Sequence, residues 1–126
     1  MNAHLIISFL DYSRKYFLEK TYTSVGRSKD CDIVIPFTEI SRCHCVFVER
    51  YKSYFYHQVI DGGRDRRKMS ANGVFVNDRR IDQVSEELKN GDVIRLGFGT
   101  TIKYVFLNQN FRSFLDEKDT SSELSP

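Results

Sequence analysis

The sequence predicts an all-β protein built as an antiparallel sandwich or barrel. Apolar and polar residues alternate with a period of two, clearest at Cys31, Ile33 and Ile35 and at Ile102, Tyr104 and Phe106 against Thr101 and Lys103. Ten phenylalanines and seven tyrosines add strand propensity. The alternating runs are short and evenly spaced, turn residues separate them, and helical periodicity is scarce.

Strands are expected at 5–11, 16–23, 31–35, 44–51, 54–61, 74–77, 92–97 and 101–108. The first closes on the polar run Asp11-Tyr-Ser-Arg-Lys15, read as a turn, and the second ends at Thr23, shortly before Gly26-Arg27. Ser28-Lys-Asp30 introduces the third, and the loop before His44 introduces the fourth. The fifth is bounded by Asp61-Gly-Gly63, the sixth by Asn72-Gly73 and Asn77-Asp78, and the seventh by Asn90-Gly91. Each of these pairs tolerates positive φ or bonds its own backbone, which is what a reversal requires. Beyond Leu107 the pattern changes. Phe111, Phe114 and Leu115 stand at i, i+3, i+4, so 111–118 can form one short helix, and the Ser-rich end 119–126 reads as a flexible tail or linker. The expected organisation is one sandwich domain over 1–110 followed by 111–126.

Composition excludes several classes. The 126 residues suit one domain with a sizeable core. Purely apolar stretches run three to four residues, too short for a transmembrane helix, and Leu5-Ile6-Ile7 is too short for an export signal. Nineteen basic against seventeen acidic residues leave +2, too little to imply nucleic-acid binding by bulk charge. Three cysteines without an export signal argue against a disulfide framework and for a cytoplasmic setting.

Four small loop signals carry chemistry. Gly26-Arg27 ends a strand, where an arginine fork can meet an anion. Ser41-Arg42-Cys43-His44 sets a hydroxyl beside a cation, with His44 read as a hydrogen-bonded core residue. Asn72-Gly73 is a turn whose amide can also match a peptide backbone. Gly91-Asp92 is a turn with no ligand role. The run Arg64-Asp-Arg-Arg-Lys68 is net +3 on a loop expected to be exposed.

The order of these signals is more informative than any one of them. Gly26-Arg27 is followed by Asp32-Ile-Val-Ile35, Ser41-Arg-Cys-His44, Ser70-Ala-Asn-Gly-Val-Phe-Val-Asn77 and Leu88-Lys-Asn-Gly-Asp-Val-Ile-Arg-Leu-Gly97. This arrangement, from about Thr23 to Leu107, resembles the forkhead-associated (FHA) domain family. The resemblance implies a β-sandwich of two twisted, mostly antiparallel sheets whose loops at one end bind phosphothreonine peptides. By position, Arg27 and Ser41 resemble the phosphate-binding pair, and Arg42 matches a position that in some members also touches the phosphate and in others only shapes the loop. Asn72 resembles the asparagine that clamps the peptide backbone after the phosphothreonine. Gly26, His44 and Gly73 match positions that shape the loops.

Two departures stand out. Ala71 lies where a Thr or Ser often adds a hydroxyl, although Ser70 is adjacent, and the loop 62–69 is longer and basic. Ser70, Arg64 and Arg66 are therefore candidates for auxiliary contacts. The expected partner is a phosphothreonine-containing protein or peptide bound by a monomer, without cofactor, metal, membrane or catalysis. Nucleic acid, through 64–68, Arg79-Arg80 and the tyrosines at 51–56, is a weaker reading. Cys43-His44-Cys45 lacks zinc-ligand spacing, and Ser41, His44 and an Asp lack a nucleophile motif and an oxyanion loop. The main rival is a phospho-independent interaction scaffold on the same fold. Thr120 in the tail is a candidate phosphorylation target that a second copy could capture.

Overall fold

The computed structural model describes residues 3–63, 69–81 and 85–107. Eleven strands follow one another: β1 (His4–Phe9), β2 (Tyr12–Phe17), β3 (Tyr22–Gly26), β4 (Ile33–Val34), β5 (Cys45–Tyr51), β6 (Phe55–Asp61), β7 (Val74–Val76), β8 (Arg79–Arg80), β9 (Glu86–Glu87), β10 (Val93–Leu96) and β11 (Thr100–Val105). They form a six-stranded sheet in the order β2-β1-β11-β10-β7-β8 and a five-stranded sheet in the order β4-β3-β5-β6-β9. Pairing is antiparallel except between β3 and β4. The expected sandwich of two mostly antiparallel sheets is the observed fold.

Alternation explains the core. Leu5 and Ile7 of β1, Ile94 and Leu96 of β10, and Ile102 and Tyr104 of β11 face Val25, Phe47 and Val59 of the other sheet, all buried in one cluster. Each such side chain contributes about 1.5–3 kcal/mol through burial. A polar bond crosses the interior between His57 Nδ1 on β6 and Tyr104 Oη on β11 at 2.7 Å. Burial drives the His57 pKa down to about 4 and the Tyr104 hydroxyl well above its ordinary value.

The N-terminal third differs from expectation. The run 11–15, read as a turn, lies mostly in β2. The reversal is the two-residue turn Leu10-Asp11, with Phe9 opposite Tyr12 and Leu10 at φ 54°. β2 is an edge strand exposed over most of its length, so no buried face imposes alternation on it. The expected strand 16–23 is instead the end of β2 and the start of β3. Between them the chain crosses from one sheet to the other, pinned by Leu18 N–H on Ala3 O at 3.0 Å and by the burial of Leu18.

Smaller differences have local causes. The expected strand 31–35 pairs only over Ile33–Val34. The short strands β8 and β9 were not expected, being two residues each and below the length at which alternation is visible. β8 follows a reversal at Asn77 and Asp78, both at positive φ. The expected helix at 111–118, the tail and the basic run 64–68 lie outside the described residues. Among the described residues, no helix is long and apolar enough to cross a membrane.

Candidate functional site

The site begins where β3 ends. Gly26 is buried against the backbone of the loop that leads into β5, and a Cβ there would stand 2.1 Å from Arg42 O. Glycine is thus a requirement of close approach at this position. The approach lets Arg27 N–H donate to Ser41 O at 3.0 Å and Ser28 N–H donate to Arg42 O at 3.1 Å. Arg27 and the Ser41–Arg42 pair are therefore fixed to each other through main-chain atoms.

The loop between β3 and β4 is held from below. Asp32 accepts from Ser24 N–H at 2.9 Å, and Ser24 Oγ accepts from Asp32 N–H at 2.9 Å. Lys20 takes the other carboxylate oxygen, and with these hydrogen bonds it holds the Asp32 carboxyl below the usual range. Cys31 Sγ donates to Arg42 O at 3.1 Å, and burial raises its pKa.

The exposed side chains follow from this frame. Arg27 Nε donates to Ile40 O at 2.9 Å, which orients the guanidinium, and no described residue accepts from its two Nη groups. Ser41 Oγ accepts from Ala71 N–H at 2.9 Å, so its own proton is available to another acceptor. Arg42 projects an exposed side chain beside it.

His44 joins this loop to the next. It is fully buried, its Nδ1 accepts from Ser41 N–H at 3.0 Å and its Nε2 lies 2.8 Å from Gly73 O. The first contact makes Nδ1 an acceptor, so Nε2 carries the proton and donates to Gly73. Burial lowers the His44 pKa against the opposing pull of the Gly73 carbonyl, which favours the neutral ring.

The turn at 70–73 is built from its own side chains. Ser70 is 5% exposed, and its Oγ accepts from Gly73 N–H at 3.1 Å. Gly73 has φ 89°, where a side chain would be strained and would crowd Arg80 and Phe75. Asn72 Nδ2 donates to Glu39 O at 2.8 Å, leaving the amide oxygen and the second N–H without a described partner.

The loop-holding roles of Glu39 and Asp61 go beyond what sequence reasoning gives. Glu39 accepts Asn72 through its carbonyl, while its carboxylate accepts from Phe98 N–H and Gly99 N–H at 3.1 Å each. It thereby ties three loops together, and nothing in the local sequence signals this. Asp61 is buried, and its Oδ1 accepts from Ser70 N–H at 2.8 Å. Its place two residues after Val59, on the inward parity of β6, was the available signal. Of the sequence-derived site residues, Gly26, Arg27, Ser41, Arg42, His44, Ser70, Asn72 and Gly73 meet at one end of the sandwich, and Arg64 and Arg66 lie outside the described residues.

Comparison with known proteins places this fold. A family profile described as FHA domain matches residues 23–97, more than half of the chain. The DNA damage response protein kinase DUN1 of Saccharomyces cerevisiae is 31% identical over 93 residues, which are 69% of this chain and 16% of the kinase. The chain thus spans a small part of that relative. The crystal structure of the Slr1951 protein from Synechocystis sp. is 28% identical, covers 82% of this chain and 97% of its own, and superposes with a TM-score of 0.74. Mycobacterium tuberculosis EmbR, solved in complex with a low affinity phosphopeptide, is 27% identical, covers 81% of this chain and 24% of its own, and has a TM-score of 0.63.

Proposed function

The chain belongs to the FHA domain family, and we propose that it is a phosphothreonine-peptide-binding module for signalling or assembly, acting through the end of the sandwich that carries Arg27, Ser41 and Asn72. The observation that carries this reading is the main-chain bond between Arg27 and Ser41, which sets their side chains together. A phosphothreonine brings about −1.5 to −2 charge and three acceptor oxygens. The two Nη groups of Arg27, the Ser41 hydroxyl and the exposed Arg42 supply the matching donors. The free oxygen and N–H of Asn72 then hold the peptide main chain beyond the phosphate.

Gly26, His44 and Gly73 act through loop shape. Ser70, buried with its hydroxyl on Gly73 N–H, belongs with them rather than with the ligand contacts. Ala71 brings no hydroxyl, but its N–H orients the one on Ser41. The proposed role is binding without catalysis, by a cytoplasmic monomer.

Each hydrogen bond to a charged group contributes about 1.5–3 kcal/mol, offset by ordering a flexible peptide, so affinities near micromolar are expected. Fluorescence anisotropy against a degenerate phosphothreonine peptide pool, with phosphoserine and unphosphorylated twins, tests the reading. Binding confined to phosphopeptides, and weakened roughly 30- to 150-fold by Arg27→Ala, is the expected result. Equal binding to phosphorylated and unphosphorylated pools would replace it with the phospho-independent scaffold.

A further inference from the structure

The six strands of the larger sheet contain no aspartate or glutamate, yet they carry Arg14, Lys15, Arg79, Arg80, Arg95 and Lys103. Register divides these cations between the two faces. Leu5, Ile7, Val74, Val76, Ile94 and Ile102 point into the core, so their strand neighbours point outward. Lys15 and Lys103 both stand opposite Ile6, and Arg95 and Arg80 both stand opposite Phe75. Residues directly opposite share a face, which puts all four cations on the outer surface.

The four form a stepped stripe across the strands, because Lys103 stands opposite Val93 and Arg95 lies two residues further along β10. Lys15 is on β2, Lys103 on β11, Arg95 on β10 and Arg80 on β8, so the stripe reaches from one edge of the sheet to the other. Five strand spacings make it about 24 Å long. None of the four is ion-paired among the described residues, although half-buried Arg95 already donates from Nη1 to Gly97 O at 2.6 Å. Arg79, on the other face of β8, is bound by Glu86.

Aromatic rings lie within the stripe. Arg95 and Arg80 sit 4.1 and 5.9 Å from the centre of the Phe75 ring, and Lys15 lies 5.6 Å over Phe17, which is 53% exposed. Cations alone would suit any polyanion. Cations interleaved with open aromatic and guanidinium planes on a broad sheet suit a chain that alternates phosphates with unpaired bases.

We infer that the outer face of the six-stranded sheet is a second binding surface, which takes single-stranded nucleic acid without base specificity. Phosphates lie along Lys15, Lys103, Arg95 and Arg80, and bases stack on Phe17 and on the Arg95–Phe75–Arg80 layer. The Arg95–Phe75–Arg80 end of the stripe adjoins the Gly73 turn, whereas Lys15, Phe17 and Lys103 lie on β2 and β11 towards the other edge. The inference rests on the charge and register of the sheet and not on the phosphopeptide reading.

The test is anisotropy of labelled 20-nucleotide DNA and RNA single strands with the full chain, from 25 to 200 mM salt. Duplex DNA and vesicles containing phosphatidylserine are run in parallel. The expected result is micromolar to roughly 100 micromolar binding of single strands, with a log K against log salt slope of about −2 to −3 for three or four phosphate contacts. The Lys15→Gln/Lys103→Gln double variant should lose about tenfold at low salt and flatten the slope by about 1.4. Phe17→Ala should lose at least about fivefold, whereas Arg27→Ala should bind as the parent does. No binding of single strands at 25 mM salt overturns the inference. So does unchanged binding by the folded double variant, preference for duplex, or retention of vesicles alone.

Discussion

The two sheets share one core and have opposite electrostatic characters. The strands of the six-stranded sheet hold six Arg or Lys and no acid. Those of the five-stranded sheet hold Arg50 against Glu49, Asp61, Glu86 and Glu87. A formal charge of +2 hides this segregation. The outer faces differ in kind as well. On the five-stranded sheet Val46, Val48 and Ile60 form a separate buried apolar cluster, whereas Lys15, Lys103 and Arg80 on the other sheet are exposed. The difference teaches where precision is concentrated. The loop end of the five-stranded sheet is a lattice of main-chain bonds in which one atom matters. The cationic face is a field to which each side chain adds a fraction.

Substitutions at the loop end should therefore have the larger effects. His44→Ala leaves Gly73 O and Ser41 N–H without their buried partner and opens a cavity, and should cost about 4 kcal/mol. Denaturant midpoints measure this, and a loss below 1 kcal/mol would mean that the loops do not depend on the joint. Gly26→Ala forces the Arg42 carbonyl away and should cost about 3 kcal/mol by the same measurement. Phosphopeptide affinity should fall with it.

Acid should act on the buried His57–Tyr104 bond between the sheets. His57 titrates near 6.5 when unfolded and near 4 when folded, so the unfolded state binds the proton first. Its contribution is complete above pH 6.5 and is lost as the pH falls towards 4, amounting to about 3 kcal/mol. The lowered pKa of His44 adds loss in the same direction. Unfolding free energies at pH 7, 5.5 and 4 should show this slope, and His57→Gln should flatten it.

A smaller effect is expected at Glu39. Glu39→Gln keeps the carbonyl that holds Asn72 but weakens the charge-assisted bonds to Phe98 and Gly99, at about 1 kcal/mol of stability. Phosphopeptide binding should weaken by severalfold at most. The smallest change belongs to the open face, where Lys103→Gln should alter stability by less than about 0.5 kcal/mol. A cost above 1 kcal/mol in the thermal or denaturant midpoint would mean that this lysine is structural, and the contrast between the two regions would fail.

Legibility followed from the range of the interaction. Strands buried on one face announce themselves by alternation, as in Ile102, Tyr104 and Phe106. Edge strand β2 has no buried face, so its polar run carries the residue types of a turn. Arg27, Ser41 and Asn72 were visible because each sits in a short motif. Glu39 was invisible because its partners are Phe98 and Gly99, about sixty residues away.

The amino-acid sequence by itself determined the β class, the positions of most strands, and the resemblance that singles out Arg27, Ser41 and Asn72. These depend on period-two burial and on local turn chemistry, which neighbouring residues settle among themselves. Only the tertiary structure decided that Ser41 Oγ receives Ala71 N–H, that Glu39 closes the loop end, and that the cations of β2, β8, β10 and β11 share one face. Each of these depends on which strands become neighbours, a choice made by packing two sheets over a common core.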